Sequence, residues 1–108
     1  MKVVIKPEAF DEIERVRGSI ALDRPDVAAE WIRRVFRRLR MRETFPRAGR
    51  VIPEFRDADL RELIFGNYRI LYRVKKRSVR VLCFWDARRE ELPDRVEEAP
   101  VSYSVASL

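Results

Sequence analysis

The stretch "LRELIFGNYRILYRV", residues 60–74, decides how this chain is read. Apolar and β-branched or aromatic residues run on either side of Gly66-Asn67, a two-residue break that reads as a hairpin turn. A third run of the same kind, "VRVLCFW" at 79–85, follows after "KKRS", so the three segments form an antiparallel meander. Charges at Arg61, Glu62, Arg69 and Arg73 interrupt the first two runs. Side chains alternate across a strand, so Tyr68, Ile70, Tyr72 and Val74 share one face and Arg69, Leu71 and Arg73 the other. The same alternation sets Val79, Val81, Cys83 and Trp85 against Arg80, Leu82, Phe84 and Asp86. With one face under a cover, the other is expected to be an exposed surface, half apolar and half arginine.

The cover comes from upstream. "KVVIK" at 2–6 reads as a short strand, and Pro7 stands where a helix begins, with Glu8, Asp11 and Glu12 favourably placed in its first turns. Phe10, Ile13, Val16 and Ile20 form one apolar stripe. A second helix starts around Pro25, carries Ala28, Trp31, Ile32, Val35 and Leu39 on one face and Arg33, Arg34, Arg37 and Arg40 on the opposite one, and stops at Pro46. The joint between them is short, which predicts a helical hairpin over 8–20 and 26–44. Residues 47–59 read as a loop. The order β-α-α-β-β-β predicts an α+β domain, a strand and a two-helix hairpin packed on one face of a small, mainly antiparallel sheet. That single domain is expected to fill residues 1–90. Residues 91–108 read as a charged extension and a tail with no assigned place, a strand on an edge or on a partner being one reading.

The composition bounds the chemistry. The 108 residues are 46% hydrophobic and 39% charged, with a net charge of +6, enough chain for one core beneath a dense charged surface. Twenty of the 24 basic residues are arginine. Arginine suits a phosphate or carboxylate partner, and equally suits an ion-pair-rich surface with no anionic ligand at all. A lone cysteine, Cys83, excludes an intrachain disulfide. Neither a signal peptide nor a membrane span can be read in the sequence, and a reducing cytoplasm is the default expectation.

There is no histidine, so every mechanism that needs a neutral imidazole is excluded, and so is His-ligated zinc. Three glycines, at 18, 49 and 66, cannot build a phosphate-cradling loop. Glu54, Asp57 and Asp59 read as a solvated acidic loop, not a metal site. No cofactor is expected. What remains is arginine to hold a phosphate and a carboxylate to take a proton from a ribose 2′-hydroxyl. A general acid is harder to supply, since tyrosine titrates near 10 and arginine above 12.

"FPRAGRVIPEF" at 45–55, "LRELIFGNYRILYRV" at 60–74 and "VRVLCFWDARRE" at 79–90 together resemble the RelE/ParE superfamily of type II toxin–antitoxin toxins, such as plasmid stabilisation proteins. The ordered set of Pro46, Gly49-Arg50, Glu54, Arg61-Glu62, Tyr68-Arg69-Ile70, Tyr72-Arg73 and Arg88-Arg89 carries the likeness, which spans about residues 3–90. The resemblance implies the fold just drawn and a growth-inhibiting toxin neutralised by a cognate antitoxin, which sets a helix against the helical hairpin (8–20 and 26–44) and often a strand at a sheet edge. It implies one of two targets: messenger RNA on the ribosome for the RelE branch, DNA gyrase for the ParE branch. By the same likeness Arg69 matches an arginine on the scissile phosphate, Arg89 or Arg88 a second basic residue, and Glu54 a general base, all only if the chain is a nuclease. Arg61, Arg73, Arg80 and Arg88 are the further candidates for contacting target or RNA.

The departures favour the ParE-like branch. Arg61-Glu62 stands where RelE nucleases carry lysines, Asp86 replaces a histidine, and no tyrosine follows the last strand until Tyr103. A non-toxic basic binding module on the same fold is a third reading. Beside these stand plainer roles: Arg61-Glu62 as a cross-strand ion pair, Tyr68 and Tyr72 as packing, Trp31 and Trp85 as core. Arg69 alone is expected to work first for function, because a mid-strand arginine needs a partner to offset its desolvation.

Overall fold

The computed structural model describes residues 1–88 and 103–104. The chain runs β1 (Lys2–Ile5), α1 (Pro7–Ala21), α2 (Pro25–Thr44), β2 (Arg50–Val51), β3 (Leu60–Phe65), β4 (Tyr68–Val74), β5 (Ser78–Asp86) and β6 (Tyr103–Ser104). Both helices open with proline at their first turn, where the missing N–H has no helical acceptor to lose. Three residues, Leu22 to Arg24, separate them, so they lie side by side as the hairpin the spacing predicts.

Among the described residues, six strands form one mixed sheet in the order β2-β3-β4-β5-β1-β6. β3, β4 and β5 are the antiparallel meander. Gly66 adopts φ 57° at the first position of the two-residue β3–β4 turn, a conformation glycine enters without a Cβ clash. β1 lies parallel to β5, with Val3 beside Val79 and Ile5 beside Val81, because the helical hairpin carries the chain back over the sheet before the meander begins. Of the C-terminal tail, Tyr103–Ser104 pairs antiparallel with β1 as an edge strand; the rest of the expected extension lies outside the described residues.

The main core is the helix-facing side. Ala9, Ile13 and Val16 of α1 and Val35 and Leu39 of α2 meet Val3, Ile5, Leu63, Ile70, Tyr72, Val79 and Val81 from the sheet. Trp31 is half-buried and meets the rings of Phe65, Tyr68 and Phe84 edge-on at 6.2, 6.4 and 6.0 Å, an arrangement ring quadrupoles favour.

The structure corrects strict alternation in β5. Leu71 pairs with Cys83 but Tyr72 pairs with Val81, so Leu82 is an extra residue in a β-bulge. Beyond it the faces exchange: Phe84 enters the helix-side core, whereas Cys83 joins a second cluster on the opposite face, and Trp85, opposite Arg69, is only half-buried there. Trp85 is therefore not part of the main core.

That opposite face also differs from the exposed basic surface expected for it. Residues 52–59 fold back across it, and Ile52, fully buried, and Phe55 pack on Leu60, Leu71 and Leu82. A small second core results, walled by ions. Among the described residues, no helix is long and apolar enough to cross a membrane.

Candidate functional site

The second face is where most of the sequence-predicted residues converge. The hairpin register places Ile64 opposite Arg69 and Glu62 opposite Leu71, so Glu62 and Arg69 are diagonal neighbours on one face. The Glu62 side chain is fully buried. One of its oxygens accepts from Arg50 Nε, and the other accepts from Arg69 Nε at 2.7 Å. Arg69 then turns its two terminal nitrogens to Glu54, donating from Nη1 at 2.8 Å to Oε2 and from Nη2 at 3.1 Å to Oε1. Four residues further along β4, Arg73 Nη1 donates to Asp57 at 2.8 Å. Glu54 and Asp57 are thus two clasps that hold the 52–59 segment down on the sheet.

Each clasp moves its carboxylate. The bonds from Arg69 hold Glu54 below the usual carboxylate range, and those from Arg73 do the same for Asp57. Arg69 itself, bonded by Glu54 and Glu62, is held more firmly protonated than a free guanidinium. Arg50, Arg69 and Arg73 together balance Glu54, Asp57 and Glu62, so these six side chains carry no net charge among themselves.

The remaining candidates are held by other partners. Arg61 points to the helix side, away from Glu62, and donates to the carbonyls of Ala58 at 2.8 Å, Gly49 at 3.1 Å and Arg47 at 3.3 Å. It is a strut for the loop, and the cross-strand pair is made by Glu62 with Arg69 instead. Arg80 lies opposite Arg73 on β5 and is half-buried. Arg88 folds back on Asp86, with two bonds of 2.9 and 2.7 Å from its guanidinium. Arg89 lies outside the described residues. Tyr72 is fully buried, its hydroxyl accepting from the Gly49 amide at 2.9 Å, and Tyr68 stacks on Phe84 at 4.6 Å; both rings sit on the helix side, across the sheet from Arg69.

Sequence reading named Glu54, Arg69 and Arg73 but missed Glu62 as the hub and Arg50 and Asp57 as partners. The signal for Glu62 was available: a register fixed by the Gly66-Asn67 turn puts it diagonal to Arg69 on the face of Leu60 and Leu71. Asp57 sits in a loop whose path no periodicity specifies. Among the described residues, no group of carboxylates, histidines and cysteines could hold a metal ion.

A model of the ParE toxin of the type II toxin–antitoxin system, parDE, matches residues 3–91. The chain belongs to the ParE toxin family. The match runs from β1 through β5 and takes in every residue of the ion cluster. No curated protein matches the sequence. Membership of a type II system gives this ParE-family toxin a cognate antitoxin as its partner.

The chemistry open to the cluster follows from its occupancy. A guanidinium has five N–H donors; here three of those of Arg69 are spent on carboxylates and the group is mostly buried. A phosphate brought to Arg69 would meet Glu54 and Glu62 across a few ångströms, like charge against like. Glu54, with its proton affinity lowered, is a poorer base than a free carboxylate.

Proposed function

We propose that this toxin poisons DNA gyrase, as ParE toxins are expected to, and does not cleave RNA. The observation that carries the reading is the Arg69 clamp: the arginine that a nuclease reading would set on the scissile phosphate is bound by Glu54 and Glu62. Neither tyrosine of the central strand lies on its face to serve as an acid. The cluster works as scaffold, fixing the 52–59 loop to the sheet and shaping the surface offered to a protein target.

The antitoxin takes the helical side. Ile32, Phe36 and Met41 line an open apolar cleft of about 600 Å³ on α2, rimmed by Arg33, Arg37 and Arg40. An amphipathic helix with acidic flanks fits such a groove, apolar anchors inward and carboxylates on the arginine rim.

Expression of the chain without an antitoxin tests the reading. Growth arrest with filamentation and a DNA-damage response, transcripts remaining whole, is the expected result. Arrest with rapidly cut transcripts would establish the nuclease instead, and healthy growth with soluble protein would make the chain a non-toxic binding module.

A further inference from the structure

A second concave surface lies apart from the ion cluster and adjoins the apolar cleft, with which it shares Arg37. It opens between α2 and the β3–β4 turn, has a volume of about 510 Å³, and is lined by Trp31, Arg34, Arg37, Arg38, Phe65 and Asn67, among others. Among the described residues, no carboxylate lines it. Arginines elsewhere on the surface are commonly tied to acids, as Arg15 is to Glu12, Arg17 to Glu14 and Arg33 to Glu30. Arg34 and Arg37 have no such partner among the described residues, although both are exposed. Arg34 and Arg38 instead each hold their guanidinium 5.9 Å from the centre of the Phe65 ring, and Arg38 is further fixed by donating to the Ile64 carbonyl at 3.1 Å. These cations are positioned over an aromatic wall before any ligand arrives.

We propose that this cleft seats a segment of single-stranded nucleic acid, its phosphates on Arg34, Arg37 and Arg38 and a base against Trp31. Two features favour a strand over an acidic peptide. A carboxylate needs only the guanidiniums, whereas the aromatic wall beside them matches the flat face of a base, the combination by which single strands are held without sequence preference. The indole of Trp31 is fixed edge-on against three other rings, so its open surface is offered without further ordering. Arg37 and Arg38 stand three and four residues after Arg34, one helical turn along α2, so the three cations border the cleft at two levels. The site does not depend on gyrase being the target.

Fluorescence anisotropy of the purified full chain with labelled oligothymidylate and oligouridylate tests this. With three guanidiniums engaged, the logarithm of affinity should fall with that of salt at a slope of about −2. Arg34→Glu with Arg37→Glu should weaken binding by more than about tenfold and bring the slope to about −0.7. The same charge change at the opposite end of the sheet, Lys76→Glu with Arg77→Glu, should leave both nearly unchanged. In a Trp85→Phe background, the fluorescence of Trp31 should be quenched on binding. Binding of either oligonucleotide in this pattern supports the site, and a difference between the two tells DNA from RNA as the source. Equal weakening by both double variants, no quenching, or tighter binding of a polyglutamate peptide than of either oligonucleotide would overturn it.

Discussion

With its side chain wholly buried and both oxygens bound by guanidiniums, Glu62 is the charge on which the second face depends. Without Glu62 the mostly buried Arg69 Nε loses its acceptor, although Arg69 keeps Glu54 and Arg50 faces water. Glu62→Ala should therefore cost about 1–3 kcal/mol in urea unfolding, more than loss of an exposed pair such as Glu12–Arg15, for which no measurable change is expected. The glycines divide just as sharply. A Cβ at Gly49 would lie 2.5 Å from the Tyr72 hydroxyl and 2.6 Å from the Glu62 carbonyl oxygen, whereas one at Gly18, within α1, would meet nothing inside 4 Å. Gly49→Ala should destabilise by about 2 kcal/mol through overpacking, and Gly18→Ala should stabilise by roughly 0.5–1 kcal/mol through helix propensity; thermal melts of the two variants decide both signs. At this scale the sequence revealed that Arg69 needed a partner, but not that two carboxylates supply it, because one of them arrives on a loop.

Among the elements, the 52–59 segment departs furthest from its sequence reading. As a run with one proline and three acids it looked solvated, yet Ile52 is fully buried and Glu54 and Asp57 clasp β4. Both carboxylates titrate below their ordinary values because Arg69 and Arg73 bond the charged forms. A depressed carboxylate contributes stability that is complete above its unfolded pKa and is lost as the pH falls through its folded one. The clasps should thus hold at neutral pH and loosen only in acid, below the ordinary carboxylate range near pH 4. Glu54→Gln should flatten the acid limb of the melting-temperature profile, and an unchanged limb would show that the clasp contributes nothing. The hairpin of helices and the meander were legible from apolar spacing and the Gly66-Asn67 turn. The bulge at Leu82 was not, since Leu82, Cys83 and Phe84 are all apolar and no alternation marks where one residue is extra.

In the whole molecule, one sheet separates two surfaces with different work. The helical hairpin covers one face and presents the apolar cleft of Ile32, Phe36 and Met41; the other face is closed by the loop and its balanced ions. The parallel placement of β1 beside β5, 76 residues further along the chain, could not be read locally, although the strand itself could. This division predicts separable phenotypes. Ile32→Asp with Phe36→Asp, the fold checked by circular dichroism, should abolish neutralisation by the antitoxin while toxicity persists, read as co-expression survival. A clamped Arg69 should make this toxin a gyrase poison and not a ribonuclease. The most direct test is a supercoiling assay with purified gyrase and purified toxin, run beside a translating extract. Supercoiling should be lost as toxin is added and restored by the antitoxin, with messenger RNA intact in the extract; full supercoiling at excess toxin, together with cleaved messenger RNA, would show a ribonuclease instead.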